Sequence, residues 1–150
     1  MNAETIRVTK LFTFDMAHAL YGYDGACKNI HGHTYHLYVT IKGRAIQNAD
    51  NPKNGMVLDF SDLKSTIKEL IISKFDHALV LNEDSPHREL HGLKEQFERL
   101  IFLPFQPSCE NLLLHFKNLI YPHYKGENEL VYIKLMETPT SYAEWFQSDN

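Results

Sequence analysis

The sequence predicts a single-domain α+β fold with antiparallel strand pairing. Segments with strand-like alternation and segments with helical spacing come in blocks along the chain and do not alternate strictly. The chain has 150 residues, a length typical of one domain that buries a core without disulfide bonds. No internal repeat and no Gly-, Ser- or Pro-rich linker divides residues 1–150, so we expect one domain.

The N-terminal part of the chain predicts two strands joined by a loop. Thr5 to His18 and His31 to Lys42 alternate with period two, which places every second side chain on one face. The segment Tyr21 to Asn29 holds two glycines and several polar residues, and it is predicted to be a loop. One face carries Phe12, Phe14, Met16 and His18 in the first strand and Tyr35, Leu37, Val39 and Ile41 in the second.

A turn and a short strand are predicted before the first helix. The turn-forming segment Ala49 to Gly55 ends with Asn54-Gly55, a pair suited to a tight hairpin. Met56 to Phe60 is therefore predicted to return as a short strand. A helix follows, with Asp59 or Ser61 as its N-cap. Its apolar stripe comprises Leu63, Ile67, Leu70 and Ile71.

The C-terminal half predicts two further helices and three further strands. Pro86, behind Ser85, is suited to open a helix. Ile101 to Phe105 predicts a short strand, and Ser108 is the expected N-cap of the third helix. The apolar sides of the two helices carry Leu90, Leu93 and Phe97 in one and Leu112, Leu113, Phe116, Leu119 and Ile120 in the other. The final strands are predicted at about Leu130 to Glu137 and at Ser141 to Phe146.

Composition and charge limit the classes of partner. The formal net charge is −4, which gives no reason to expect nucleic acid or an anionic membrane as a partner. No basic and apolar leader opens the sequence, and no apolar run approaches the roughly 18 residues that a membrane span needs. Cys27 and Cys109 are too few for a disulfide framework. We therefore expect a cytoplasmic protein.

Histidine is the unusual residue of this sequence, with nine copies. His31 and His33 are two residues apart at the start of a predicted strand, so both rings lie on one face, and Gly32 between them adds no bulk. His18 ends the corresponding face of the preceding strand. Three neutral imidazoles from two neighbouring strands would suit Zn²⁺ and leave one tetrahedral position open. The alternative is that these are core or loop histidines whose rings form hydrogen bonds with the backbone.

Cys27 lies in the predicted loop, four residues before His31. It would serve as a fourth ligand in a closed structural zinc site, or as a thiol close to the metal that moves a proton. An inert buried thiol is the third interpretation. Cys109 has no comparable neighbours, and we interpret it as a packing residue.

Acidic residues mark two further candidate positions. Asp76 precedes His77 directly after the first helix, where a carboxylate can orient an adjacent imidazole, although a surface turn would have the same sequence. Glu137 is the next residue on the predicted apolar face of the fifth strand, so it needs a partner. That partner would be a ligand with adjacent N–H donors or an Arg of the chain. Glu110 lies in the first turn of the third helix, where its negative charge interacts favourably with the helix dipole whether or not it has another role.

Taken in order, six short motifs make the sequence resemble the 6-pyruvoyl-tetrahydropterin synthase and 6-carboxy-tetrahydropterin synthase family. They span nearly the whole chain, from about residue 8 to residue 140. The motifs are Phe14-x-x-x-His18, Cys27-x-x-x-His31-Gly32-His33, Val57-Leu58-Asp59-Phe60-x-x-Leu63-Lys64, Asp76-His77-x-x-x-Leu81-Asn82, Pro107-Ser108-x-Glu110-Asn111 and Glu137-Thr138.

The resemblance implies both a fold and a set of site residues. The implied fold is the T-fold, an antiparallel sheet with two long helices on one side, whose trimers close into a barrel and pair as hexamers with active sites at subunit interfaces. The implied roles are zinc ligation by His18, His31 and His33, catalysis by Cys27, Asp76 and His77, and pterin binding by Glu137. Ser108 and Glu110 are further candidates for substrate binding.

The spacing between Cys27 and His31 favours one subtype within this family. Three intervening residues resemble the bacterial 6-carboxy enzyme of queuosine synthesis, whereas the animal-type pyruvoyl enzymes have a longer gap. The implied reaction converts 7,8-dihydroneopterin triphosphate to 6-carboxy-5,6,7,8-tetrahydropterin with release of acetaldehyde and triphosphate. The alternatives are a 6-pyruvoyl-tetrahydropterin synthase and a non-catalytic zinc protein. The segment 83–106 is longer than in the short bacterial form, and we expect it to add a helix and a strand.

Overall fold

The computed structural model describes residues 4–150, so residues 1–3 of the predicted domain lie outside the described part. Its strands are β1 (Thr5–His18), β2 (His31–Arg44), β3 (Ala78–Asn82), β4 (Leu100–Leu103), β5 (Glu129–Thr138) and β6 (Ser141–Phe146). They form one sheet in the order β4-β3-β1-β2-β5-β6. The predicted strands near both ends of the chain are therefore confirmed.

The sheet combines antiparallel and parallel pairing. Strands β1, β2, β5 and β6 pair in antiparallel fashion, as predicted, with β1 and β2 in register from Thr5↔Arg44 to His18↔His31. In contrast, β3 lies parallel to β1, and β4 lies parallel to β3. Parallel neighbours need a long crossover connection, which the helical segment before β3 and the residues between β3 and β4 provide.

Two helical segments contain most of the helical residues. The first comprises α1 (Phe60–Ile67), a π-helical turn (Lys68–Ile72) and α2 (Ser73–Phe75), which follow one another directly. The second long helix is α4 (Cys109–Ile120), and α3 (Leu93–Gln96) is a short helix between them. Short 3₁₀ turns occur at Ala26–Lys28, Pro86–Glu89, Tyr121–His123 and Gln147–Asp149.

Side chains cap both long helical segments at their N-terminal ends. The Asp59 carboxylate accepts a hydrogen bond from the backbone N–H of Ser61 at 2.7 Å, so Asp59 is the N-cap of α1. The Ser108 hydroxyl accepts from the backbone N–H of Asn111 at 3.3 Å and caps α4 as predicted. Such caps satisfy backbone donors that the first turn of a helix leaves without a partner.

The strand predicted at Met56 to Phe60 is wrong. Residues 57 and 58 form a bend, Asp59 caps the helix and Phe60 is already its first residue. Two backbone hydrogen bonds join Ile46 to Gly55 and Met56, but no ladder continues from them. The capping preference of Asp59 thus ends the extended conformation before a strand forms.

The helix predicted from Pro86 to Phe97 is also not a single helix. It is a 3₁₀ turn at Pro86–Glu89 followed by α3, and Gly92 with φ of +89° separates them. Leu90 is 51% exposed and Phe97 is 52% exposed, so this stretch has little packing to stabilise a longer helix. The segment 83–106 contains α3 and β4, and its greater length relative to the short bacterial form stays a prediction.

The core lies between the sheet and the two helical segments. The predicted faces of β1 and β2 are buried there, and Tyr35, Leu37, Val39 and Ile41 are completely inaccessible. They pack with side chains of the helices, among them Leu63, Ile67, Ile71, Leu112, Phe116 and Ile120. His18 continues this buried face at the end of β1. Within residues 4–150, no helix combines the length and the hydropathy required to cross a membrane.

Candidate active site

Three histidines meet where β1 ends and β2 begins. His18 is the last residue of β1 and lies opposite His31, the first residue of β2, and His33 follows two residues later. One ring nitrogen from each of the three lies within 4.8 Å of the other two. Gly32 runs close to β1, because a Cβ there would lie 3.3 Å from the Met16 carbonyl oxygen. The antiparallel register therefore assembles the set that the sequence predicted.

Backbone carbonyls determine which ring nitrogen carries the proton in two of the histidines. The Nδ1 atom of His18 lies 2.7 Å from the Pro107 carbonyl oxygen, and Nδ1 of His31 lies 2.7 Å from that of Asn29. A carbonyl only accepts, so each Nδ1 carries the proton and each neutral ring keeps a lone pair on Nε2. Carbonyl partners on the second ring nitrogen are typical of histidines that bind metals.

The Nε2 atoms of His18 and His31 are only 3.0 Å apart. Two lone pairs at that distance repel each other unless a cation lies against both. Two nitrogens bound to one tetrahedral zinc at about 2.0–2.1 Å would be about 3.3 Å apart, close to the observed separation. The Nε2 atom of His33 is also buried, and it has no hydrogen-bond partner among residues 4–150. The three side chains therefore fit a zinc ion.

Burial keeps these rings in the form that binds metal. Burial is the main cause that lowers the pKa of His18, and burial likewise lowers the pKa of His33. Both pKa values fall below the ordinary histidine value, so both rings are neutral at pH 7. A neutral imidazole is the form that can donate its lone pair to a metal.

Glu137 lies beside the histidines at an irregular position in β5. The pairing of β5 with β6 shifts register between Met136 and Thr138, around Glu137. Its Oε1 atom lies 3.4 Å from the Nε2 atoms of His18 and His33, and the Tyr35 hydroxyl donates to it at 3.4 Å. No Arg or Lys within the described chain forms an ion pair with it, so the Arg partner considered from the sequence is absent. Its side chain is 24% exposed.

Tyr35 is the residue of this site that sequence reasoning did not single out. Its ring is completely buried, and its hydroxyl contacts Glu137. Burial and then the charge of Glu137 raise the pKa of Tyr35 well above its ordinary value. Tyr35 therefore stays protonated and donates to the carboxylate. The signal was available, since Tyr35 follows His31 and His33 on the same face of β2.

Cys27 lies in the loop before β2, within the 3₁₀ turn Ala26–Lys28. Its side chain is half-buried, and its carbonyl oxygen accepts from the Leu20 N–H at 2.9 Å. Within the described residues, the ligand atoms that lie within 4.8 Å of one another are those of His18, His31 and His33 and, as a separate group, those of Asp15, Asp76 and His77. The Cys27 thiol belongs to neither group. This geometry favours three protein ligands over a closed site with Cys27 as the fourth.

Asp76 and His77 lie at the junction of α2 and β3. The Asp76 carboxylate contacts His77 Nδ1 and the Asp15 N–H, each at 3.0 Å. His77 is 72% exposed and has φ of +62°, a backbone conformation that costs of order 1–3 kcal/mol for a residue other than glycine. A cleft of about 450 Å³ is lined by residues 15–17, 32–34 and 77–79, which include both His77 and His33. No hydrogen bond within the described residues joins His77 to the three histidines.

The remaining candidates lie around the start of α4. The Ser108 hydroxyl caps the helix, and Glu110 is exposed in its first turn. Their proposed contact with substrate stays a prediction. Cys109 packs against the core, where burial and then the charge of Glu137 raise the pKa of its thiol to about 12. The interpretation of Cys109 as a packing residue agrees with this position.

The fold and the site together define a class of protein. It is an α+β protein with a mixed sheet, two helical segments on one face and a three-histidine candidate metal centre at the sheet's end. Solved structures show the same T-fold. The 6-pyruvoyl tetrahydropterin synthase of Caenorhabditis elegans aligns with a TM-score of 0.69 at 20% identity, over 97% of this chain and 98% of its own. The Plasmodium falciparum protein gives 0.66 at 24% identity, over 96% and 98%.

Sequence comparison identifies the family. The family model described as 6-pyruvoyl tetrahydropterin synthase matches residues 7–148. A Haemophilus influenzae 6-carboxy-5,6,7,8-tetrahydropterin synthase is 37% identical over 143 residues, which are 93% of this chain and 97% of the relative. Its Rickettsia felis counterpart is 33% identical over 141 residues, 93% and 99% of the two chains. The chain belongs to the 6-pyruvoyl tetrahydropterin synthase family, and it is an enzyme of the lyase class.

Proposed function

We propose that this protein is a zinc-dependent 6-carboxy-5,6,7,8-tetrahydropterin synthase of queuosine (7-deazaguanine) biosynthesis. Its substrate would be 7,8-dihydroneopterin triphosphate, and its second products acetaldehyde and triphosphate. The observation that carries the zinc assignment is the convergence of one ring nitrogen from each of three histidines, with the Nε2 atoms of His18 and His31 only 3.0 Å apart. The names of the relatives from Haemophilus influenzae and Rickettsia felis support the choice of product.

His18, His31 and His33 would hold the zinc ion. When bound, zinc supplies Lewis acidity to the side-chain oxygens of the substrate, where negative charge develops. The Nδ1–H donors of His18 and His31 keep both rings oriented through the carbonyls of Pro107 and Asn29. The ligand set is therefore held by backbone atoms on two sides before any ion enters.

Three further residues would handle protons and substrate orientation. Cys27, as thiolate, would accept a proton from a side-chain carbon of the substrate. His77, oriented by Asp76 at 3.0 Å, would deliver or accept the second proton. Glu137 would accept hydrogen bonds from the amide and amino N–H groups of the pterin ring, which Tyr35 assists by orienting the carboxylate. Internal redox and carbon–carbon cleavage then require no nicotinamide.

Assembly into trimers or hexamers is part of the proposal. Strand β3 pairs with β1 only at Met16, Ala17 and His18, so the edge of β1 from Thr5 to Asp15 has no partner strand within residues 4–150. Strand β6 forms the opposite edge of the sheet. Unpaired edges favour pairing with another chain. Size-exclusion chromatography with light scattering would measure the mass in solution, and the mass of a monomer would contradict the proposed assembly.

Product identification tests the proposed activity. The zinc-loaded protein is incubated with 7,8-dihydroneopterin triphosphate, and the products are identified by mass spectrometry. We expect 6-carboxy-5,6,7,8-tetrahydropterin with acetaldehyde and triphosphate. A 6-pyruvoyl product would show the sister activity, for which a Dictyostelium discoideum relative named 6-pyruvoyl tetrahydrobiopterin synthase, 28% identical over 151 residues, offers a precedent. No turnover by the zinc-loaded protein would favour the non-catalytic alternative.

A cytoplasmic location is part of the proposal, and the small number of cysteines supports it. Cys27 and Cys109 are both unpaired, as is usual in the reducing cytoplasm. We propose that the enzyme acts there as a homo-oligomer on a small pterin substrate, without nucleic acid or membrane as a partner.

A further inference from the structure

His77 has a backbone conformation that its surroundings must maintain. It is the only residue other than glycine with positive φ among residues 4–150, at +62°. The left-handed region is sparsely populated by residues with a side chain, although histidine enters it more readily than β-branched residues do. The His77 ring keeps its contact with the Asp76 carboxylate only if the peptide groups on both sides of His77 are fixed.

Arg99 fixes the peptide groups on one side. Its Nη1 atom donates to the carbonyl oxygen of Asp76 at 2.7 Å and to that of Ser73 at 3.2 Å. These carbonyls belong to the C-terminal end of the first helical segment, where backbone acceptors lack partners and positive charge is favourable. The carbonyl oxygen of Arg99 also accepts from the N–H of Leu79 at 2.9 Å. Arg99 therefore contacts the chain immediately before His77 and two residues after it.

The backbone of Asp15 fixes the other side. Its carbonyl oxygen accepts from the His77 N–H at 2.6 Å, and its N–H donates to the Asp76 carboxylate at 3.0 Å. Asp15 belongs to β1, which also carries His18, so these two bonds connect the position of His77 to the strand of the metal centre. The backbone bonds from Asp15 do not depend on its side chain, whereas the two bonds from Nη1 depend entirely on the side chain of Arg99.

We propose that Arg99 is a positioning residue that holds His77 in its productive orientation. Because Arg99 lies in the 83–106 segment, this assigns a role to that segment. Arg99 directly precedes β4, and we call the two hydrogen bonds from its guanidinium to the junction of α2 and β3 the brace. The inference rests on the proposed function in so far as His77 handles a proton of the pterin substrate. The brace consists of hydrogen bonds to backbone carbonyls, so amide hydrogen exchange can detect it independently of activity.

The kinetic test compares Arg99→Ala, Arg99→Lys and Arg88→Ala with the wild type, all zinc-loaded and acting on 7,8-dihydroneopterin triphosphate. Arg88 is an exposed arginine of the same segment, so Arg88→Ala removes the same charge without removing the brace. A misplaced proton-transfer group slows chemistry more than it weakens binding. We expect Arg99→Ala to lower kcat about tenfold while KM stays within about twofold, with zinc content unchanged.

The lysine variant separates positioning from general structural support. Both bonds from Arg99 come from one nitrogen atom, and a lysine ammonium also offers several donors on one nitrogen. Arg99→Lys should therefore keep kcat within about threefold of the wild type, and Arg88→Ala should behave as the wild type does. A kcat of Arg99→Ala equal to that of the wild type would overturn the proposal. So would a rise in KM alone, or equal losses in Arg99→Ala and Arg99→Lys.

Amide hydrogen exchange tests the brace without any reference to activity. In Arg99→Ala, the peptide that contains the His77 and Leu79 amides should exchange about tenfold faster, while peptides of β2 and β5 keep their rates. If the wild type shows no turnover, the proposed function fails, and the exchange rates still decide whether Arg99 holds His77. Unchanged exchange at His77 and Leu79 would refute the brace.

Discussion

His18 and His31 face each other through Nε2 atoms 3.0 Å apart, although the Nδ1–H of each ring already donates to a backbone carbonyl. In a neutral pair, this places two lone pairs against each other. An arrangement of this kind is stable when a cation lies between the nitrogens, and the buried Nε2 of His33 supplies a third ligand. The Pro107 and Asn29 carbonyls direct the Nε2 lone pairs into the site, so they contribute to its preference for a cation as much as the histidines do.

Removing one histidine should remove the metal. His33→Ala leaves two protein ligands, so we expect the zinc content to fall from about one ion per chain to a small fraction. Elemental analysis after dialysis against buffer without metal measures it. His36→Ala is the matched control, because His36 lies on the same strand with its side chain on the opposite face. Full zinc content in His33→Ala would show that the ligand assignment is wrong.

Replacing Cys27 should separate metal binding from turnover. The thiol lies outside the group of converging histidine nitrogens, so Cys27→Ala should keep its zinc and its fold. Loss of a positioned proton-transfer group should lower kcat by about 10²–10⁴-fold. Zinc content, circular dichroism and single-turnover rates on the same preparation give the answer. Loss of zinc from this variant would support the closed structural site instead.

The two thiols should react very differently with iodoacetamide. Burial raises the pKa of Cys109 to about 12, so its thiolate, which is the reactive form, is about 10⁻⁴ of the total at pH 8. Half-buried Cys27 lies in a loop, where a reagent can approach it. Mass spectrometry of the folded protein should find one label, on Cys27, and Cys27→Ala should take up none. Labelling of Cys109 at a similar rate would mean that it is not buried.

The metal-free protein should lose stability in mildly acidic solution. Burial lowers the pKa of His115, as it does those of His18 and His33, so the unfolded chain binds more protons than the folded one below pH 6.5. Stability is therefore complete above about pH 6.5 and decreases as the pH falls toward the lowered values. Urea unfolding between pH 7.5 and 5 measures this loss.

A substitution away from the metal centre tests that explanation. His115 packs among Phe75, Phe105 and Phe116, so a phenylalanine should fit at this position. The substitution removes the ionisable imidazole. His115→Phe should therefore weaken the dependence of stability on pH. His123→Phe, at an exposed position, is the control and should leave it unchanged. The same pH dependence in His115→Phe as in the wild type would contradict the assignment.

Local patterns predicted β1, β2, β4, β5, β6 and the histidine set, because these depend on alternation and on the pairing of neighbouring strands, but they did not predict β3 (Ala78–Asn82). Alternation could not show that β3 and β4 pair in parallel, since that arrangement depends on where the crossover connections place them. The strand predicted at Met56 to Phe60 was wrong because the cap at Asp59 ended it. Contacts between distant parts of the chain, such as Arg99 with Asp76, leave no periodic signal.

Glu137 shows where prediction from sequence stopped within the site itself. Alternation correctly indicated a carboxylate at the end of a buried face that needs a partner, and Val131, Ile133 and Leu135 are indeed buried. It did not reveal the partners within the chain, which are Tyr35, His18 and His33. Tyr35 donates one hydrogen bond, and the two histidines are neutral, so much of the acceptor capacity of the carboxylate is left for a ligand.

Glu137→Gln should weaken pterin binding without affecting the metal. The amide keeps the size of the side chain and one acceptor oxygen, but it removes the charge and replaces the other acceptor with a donor. A hydrogen bond to a charged group contributes about 1.5–3 kcal/mol, so we expect affinity to fall roughly ten- to a hundredfold. Titration calorimetry with a non-reactive pterin measures this on wild type and variant, and zinc content should stay the same because three histidines hold the ion. Glu127→Gln, at an exposed position before β5, provides a matched comparison for the loss of charge. Equal affinities in wild type and Glu137→Gln would mean that the carboxylate serves only Tyr35 and the histidines.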